Sequence, residues 1–323
     1  MHTGAAMPTT KPLTLCALAL LAFAGCTDDP GTLDDDSGET AGSEDEVGED
    51  GSTDGSGTDE AGTDDGTGST GGETTGGQPS DCPVDQFVDP QPDPNNGAYA
   101  DPFLNVYCEH DELVVESNGI PHYEFVQLTP NPLGAQDYAW RIPQFPEVAA
   151  QTTEVPLLGL EAFSVSGLPI FGPNEGPFPD PFGDPVYNDI VDFCLGHTAM
   201  EGVYHLHAMV TECFKMDPGP DQPSPIIGYA LDGFPIYGPR GCLDAGCSEV
   251  VEFHSGWVQT GDPTTYAWDN HEYQPSDDPS VLDECNGRYD ANGNYGYHAT
   301  ATFPYVLGCY RGTPQGVGMG GPP

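Results

Sequence analysis

Hydrophobic residues fall into three regimes along the chain. The first is an apolar run, Leu13 to Ala24, interrupted only by Thr14 and preceded by Lys11. It is too short for a permanent membrane-spanning helix and has the length and basic flank of a signal-peptide core. The second regime, residues 27 to 80, is Gly, Ser, Thr, Asp and Glu almost throughout and has no aromatic residue. Nothing there can be buried, so the segment is expected to be a disordered tether. From residue 81 onward apolar residues come in short runs broken by Gly and Pro. That pattern predicts strands, among them Glu112 to Ser117 and Tyr123 to Leu128, joined by ordered loops.

Composition sharpens this picture. With 43 Gly and 34 Pro in 323 residues, long helices are excluded, and with them a helical bundle, a Rossmann domain or a P-loop fold. The expected fold class is mainly β with long Gly/Pro-rich loops. The formal net charge of −46 excludes a nucleic-acid binder, or an anionic-membrane binder, that works through a basic patch. The tether holds 17 acids, and the remainder from residue 81 still carries 35 against 5 basic residues, so the folded part is acidic as well.

Two processing sites compete at the N-terminus. Ala22-Phe23-Ala24 fits cleavage before Gly25, whereas Ala24-Gly25-Cys26 resembles a lipobox in which Cys26 is lipidated. Past the signal there are Cys26 and eight other cysteines. Lipidating Cys26 removes the odd thiol, so the expectation is a signal peptide over 1–25 and a lipid anchor as the membrane contact. Residues 26–80 would then hold the domain off the cell envelope.

The folded part contains an internal repeat. Asp192, Cys194, Gly196, Gly202, Tyr204, His207 and Ala208 recur 91 residues later as Asp283, Cys285, Gly287, Gly293, Tyr295, His298 and Ala299, seven identities in seventeen ungapped positions. Upstream, Gly167-Leu168-Pro169-Ile170-Phe171-Gly172-Pro173 matches Gly233-Phe234-Pro235-Ile236-Tyr237-Gly238-Pro239, with Pro156 to Gly159 matched to Pro225 to Gly228. The expected domain spans 81–323, with an N-terminal section over 81–150, repeats over 155–213 and 224–309, and an insertion between Arg240 and Asp278. Equivalent bridges would close each repeat, Cys194 with Cys213 and Cys285 with Cys309, leaving Cys82 with Cys108 and Cys242 with Cys247. Eight cysteines allow 105 pairings, so the connectivity is an expectation from the repeat alone.

Gly202-Val203-Tyr204-His205-Leu206-His207, Leu231-Asp232-Gly233-Phe234-Pro235-Ile236-Tyr237-Gly238-Pro239, Leu282-Asp283-Glu284-Cys285-Asn286-Gly287, Phe303-Pro304-Tyr305 and Cys309-Tyr310-Arg311-Gly312 together resemble the YHYH domain of secreted and surface proteins. The chain departs from the Tyr-His-Tyr-His pattern at Leu206 and Gly296. The resemblance implies an extracytoplasmic setting and supplies no mechanism.

The chemistry must come from the motif. In a strand His205 and His207 share one face, about 6.5–7 Å apart at Cβ, a separation two imidazoles can close onto one metal ion. If the repeats pack about a pseudo-two-fold axis, His298 joins them. Three imidazoles suit zinc or copper, Met209 would add a thioether for Cu(I), and His197 would be an outer ligand. Asp232 is a further candidate ligand or general base. Against this stands the bland alternative of structural histidines bonded to carbonyls or carboxylates. Asp290-Ala291-Asn292-Gly293-Asn294 begins like a calcium loop but lacks a Glu at position twelve, so it reads first as a hairpin. Trp257, Tyr266, Trp268 and Tyr273 in the insertion offer a glycan- or protein-binding surface, or simply local burial. The reading is therefore a tethered lipoprotein with a zinc or copper site. The alternatives are an extracellular binding module and, third, a metalloenzyme of unknown reaction.

Overall fold

The computed structural model describes residues 82–176, 182–214 and 218–316. The signal peptide, Cys26 and the tether lie outside the described residues. Among the described residues helix is confined to 3-10 turns of three or four residues, as the density of Gly and Pro requires.

The N-terminal section forms a three-stranded antiparallel sheet of β1 (Leu104–Glu109), β2 (Glu112–Ser117) and β3 (Tyr138–Pro143), in that order. Leu113, Val115, Trp140 and Ile142 from it are buried. Trp140 stacks on Phe163 at 4.9 Å, which joins this sheet to the larger one. Tyr123 to Leu128 is not a strand. Its alternating apolar pattern is satisfied differently: the Asn96 amide donates to Tyr123 O at 2.7 Å and accepts from Phe125 N at 2.9 Å. One side chain thus takes the place of a neighbouring strand, and Tyr123 and Phe125 are still buried.

The central sheet is assembled from short strands: β4 (Leu160–Ser164), β5 (Pro169–Phe171), β6 (Gly196–Thr198), β7 (Tyr204–Leu206), β8 (Ile226–Ala230) and β9 (Pro235–Tyr237). The insertion adds two hairpins, β10 (Arg240–Cys242) with β11 (Val250–Glu252) and β12 (Trp257–Gln259) with β13 (His271–Tyr273). β14 (Gly287–Tyr289) and β15 (Tyr295–His298) then complete the central sheet. Its order is β14-β15-β9-β8-β4-β5-β7-β6. The order is the same read from either edge, with the antiparallel β4–β8 contact in the middle. Registers match too: Ile170 pairs with Leu206 in parallel as Ile236 pairs with Tyr297, and His197 opposes His205 as Arg288 opposes Gly296.

One detail of the sequence correspondence changes. Leu160 pairs with Phe171 as Ile226 pairs with Tyr237, and each strand has a bulge immediately after. Leu160 is therefore the counterpart of Ile226, and Pro156 to Gly159 is not the counterpart of Pro225 to Gly228. The bulge sets the register, and it puts Glu161 opposite Ile227 in the comparison of halves. Cysteines bridge as Cys82–Cys108, Cys194–Cys213, Cys242–Cys247 and Cys285–Cys309. Such bridges offset chain entropy in a domain so rich in loops.

Candidate metal centre

The β6–β7 hairpin sits at one edge of the central sheet. A tight reversal precedes it. The Asp192 carboxylate accepts from Cys194 N and Gly196 N at 2.9 and 3.1 Å, and Leu195 adopts a left-handed conformation at φ 65°. The Tyr204 hydroxyl donates to the same carboxylate at 2.7 Å. Gly196 is required here, because a Cβ would lie 2.6 Å from that hydroxyl oxygen. The first Tyr of the motif is therefore an anchor, buried with Asp192 behind the strand.

On the other face, His205 opposes His197 across the hairpin and His207 follows two residues on. The Nε2 atoms of His205 and His207 are 3.0 Å apart, and those of His207 and His197 are 3.1 Å apart. Glu175, in the loop after β5, brings Oε2 to 2.6 Å from His197 Nε2 and 3.4 Å from His207 Nε2. The four ligand atoms all lie within 4.8 Å of one another. The three imidazoles are almost wholly buried, and Glu175 forms the edge nearest solvent.

Protons decide what this arrangement is. Each ring has its Nδ1 against a backbone carbonyl: His197 on Ile190 O at 2.8 Å, His205 on Val203 O at 3.2 Å, and His207 on Gly172 O at 2.7 Å. A carbonyl only accepts, so Nδ1 carries the hydrogen in all three rings. Neutral rings in this tautomer meet at Nε2, lone pair to lone pair, with no hydrogen to share. A cation at the centre turns that repulsion into coordination. Ligand atoms of a tetrahedral zinc site, at about 2.0–2.1 Å from the metal, stand roughly 3.3 Å apart, close to the spacings here. Fixing Nδ1 by a carbonyl is also the usual way that metal-ligating imidazoles are oriented.

Electrostatics agree. Burial pushes His205 well below the ordinary histidine value, and the neighbouring His207 and His197 push it further. Burial raises Glu175, and only protons on Nε2 of His197 and His207 would outweigh that and hold it below the usual carboxylate range; with those rings neutral, a cation has to take the protons' place. Phe171 stacks on His205 with ring centroids 4.1 Å apart and fixes that ring.

The sequence-predicted residues are distributed unevenly. His205 and His207 stand together, and His197 is a full member of the cluster, not an outer ligand, because cross-strand pairing sets it directly opposite His205. His298 does not converge with them. It lies on β15, five strand spacings from β7 in the sheet order, each about 4.8 Å. The sheet order sets β4 beside β8 in the middle and sends the two His strands toward opposite edges. Met209 lies beyond the end of β7 and packs in the hydrophobic core. Asp232 is buried at another point. It accepts from the Tyr297 hydroxyl at 2.5 Å and from Gly312 N at 2.8 Å, which ties the C-terminal segment to β15.

Asp290 turns its oxygens to Asn292 N and Asn294 N, both at 2.8 Å, and closes the β14–β15 hairpin. Trp257, Trp268 and Phe303 pack edge to face, with Tyr273 against Trp257. Glu175 is the candidate ligand that sequence reasoning missed. Its only signal was position, three residues after the Gly172 whose carbonyl holds His207.

A family model described as YHYH protein matches residues 139–312, more than half of the chain. The match begins inside β3, earlier than the motifs alone suggested. No curated protein and no solved structure matches the chain.

Proposed function

The chain belongs to the YHYH protein family, and we propose that its domain binds one transition-metal ion through His197, His205, His207 and Glu175. The observation that carries this reading is the convergence of three Nε2 atoms and a carboxylate oxygen whose rings have already spent their Nδ1 hydrogens on carbonyls. Three imidazoles and one carboxylate make a borderline donor set, suited to Zn(II) or Cu(II). Met209, which packs in the hydrophobic core beyond the end of β7, is not one of these four proposed ligands.

Setting and chemistry are consistent. Four disulfides and the family point to an extracellular protein, where oxidised cysteines persist. All eight cysteines of the domain are paired, which leaves Cys26 as the odd one past the signal and supports a lipid anchor there. In this reading residues 27–80 keep the metal domain clear of the envelope surface.

The test is metal content. Purified domain incubated with Zn(II) or Cu(II) and desalted should retain one equivalent, and the double change His205→Ala with His207→Ala should retain none. His254→Ala, at an exposed histidine away from the cluster, should leave uptake intact. Uptake below one-tenth of an equivalent by the unmodified domain would refute the site.

A further inference from the structure

The other edge of the central sheet carries the counterpart of the metal centre with its ligands exchanged. By strand register, Arg288 stands in the place of His197 and Gly296 in that of His205, while His298 keeps the place of His207. Gly241 follows Gly238 by three residues, as Glu175 follows Gly172. Three of four ligand positions have become one cation and two glycines.

The consequence is a cleft of about 250 Å³ lined by Arg240, Gly241, Arg288, Gly296 and His298, with Tyr237 and Tyr295 as aromatic walls. It cannot be a second metal site. Arg288 holds a positive charge where a ligand should be, and together with burial it keeps His298 low, at about 4. His298 is therefore neutral at pH 7. Its Nδ1 is committed to Gly238 O at 2.9 Å, which leaves Nε2 as an acceptor.

The cleft gathers scarce cations and is neutral by formal count, two arginines against Asp244 and Asp290. The whole chain has 6 Lys and Arg against 52 acids, yet two arginines line this one cleft. Arg288 is held in place from behind, with its guanidinium carbon 4.5 Å over the Phe253 ring and one amino group on Cys242 O at 3.2 Å. Arg240 is fixed through Nε on Gln222 O at 3.3 Å. Asp244 and Asp290 also line the cleft. Their oxygens are turned to amides of their own loops: Asp244 accepts from Gly246 N and Ser248 N, Asp290 from Asn292 N and Asn294 N. These two acids favour a singly charged ligand over a doubly charged one, since repulsion grows with the ligand's charge.

We propose that this cleft binds a small monocarboxylate, its carboxylate on the Arg288 guanidinium group and its apolar body against Tyr237. Planar guanidinium matches planar carboxylate through paired hydrogen bonds. The aromatic wall gives the rest of the ligand a surface that an inorganic anion does not use.

The probe is benzoate, titrated calorimetrically into the whole domain at pH 7 and low salt, with sulfate as the competing anion. Saturable one-site binding is expected, weakened about tenfold or more by Arg288→Gln and left intact by His205→Ala with His207→Ala. That second variant separates this site from the metal reading. If Arg288→Gln does not fold, Ala291→Trp carries the test, because Ala291 is an exposed lining residue. No saturable binding of benzoate, binding unchanged in all the cleft variants that fold, or displacement by equimolar sulfate would overturn the proposal.

Discussion

His207 and His298 hold the same position in the two halves of one sheet, and each donates Nδ1 to a glycine carbonyl, Gly172 at 2.7 Å and Gly238 at 2.9 Å. What differs is the company. His207 faces His197, His205 and Glu175, whereas His298 lies between the rings of Tyr237 and Phe253, at 5.4 and 4.6 Å. A ligand is made by its neighbours, and only one of these two histidines has them.

The two should separate cleanly on substitution. His207→Ala is expected to abolish metal uptake. His298→Ala should retain a full equivalent while losing about 1–3 kcal/mol of stability, because Gly238 O is left without its donor in a buried setting. Metal analysis and chemical denaturation of both variants check this.

Much of the site was legible because it follows from local rules. Alternation along Tyr204 to His207 gives the shared face, and the 91-residue offset gives the matched hairpins. Convergence of His298 failed because a sequence repeat fixes an internal arrangement and not how the two units pair. Here β4 and β8 meet in the middle of the sheet, so the hairpins end at opposite edges. Glu175 was beyond reach for another reason: it enters from a loop, and loops carry no period. The strand expected at Tyr123 failed because Asn96, more than twenty residues away, satisfies its backbone.

Glu175 supplies the only negative charge among the proposed ligands. Glu175→Gln keeps the shape and removes the charge, so metal affinity should fall about tenfold or more, the equivalent of about 1.4 kcal/mol or greater. Competition against a chromophoric chelator measures it. An unchanged affinity would exclude Glu175 from the coordination sphere.

All three histidines of the proposed metal centre lie inside the 19-residue span closed by Cys194–Cys213. Replacing both cysteines with serine should cost about 3 kcal/mol of stability from loop entropy, and it should weaken metal binding because the hairpin must then be ordered by the ion. The span of 5 residues closed by Cys242–Cys247 should be worth only about 2 kcal/mol by the same relation. Its loss should not affect the metal. Unfolding and metal titrations on the two double variants give the comparison.

Gly296 answers why the second half cannot be made into a metal site by one change. A Cβ there would stand 2.7 Å from the Tyr237 ring, which by register is the counterpart of the Phe171 ring that stacks on His205 in the other half. Gly296→Ala is expected to cost about 1–3 kcal/mol through overpacking, and Gly296→His more. Denaturation midpoints of both, against the parent domain, test the order.

Glu161 gives the pH dependence. It sits at the β4 bulge with only 1% of its surface exposed, and both carboxylate oxygens are buried without a hydrogen-bond partner. Its counterpart in the other half is Ile227, a residue with no charge to hide. Burial raises Glu161 well above its ordinary value of 4.5. Between that value and the folded one, the folded state keeps a proton that the unfolded chain has released. The stability associated with the neutral acid is therefore fully present below about pH 4 and is lost as pH rises, at about 1.4 kcal/mol per pH unit until the folded value is passed. Glu161→Gln imitates the protonated acid at every pH and removes that slope. Denaturation curves from pH 4 to pH 9 should show the variant gaining on the parent as pH rises. Parallel stability profiles for the two proteins would show that Glu161 titrates in the fold as it does in water.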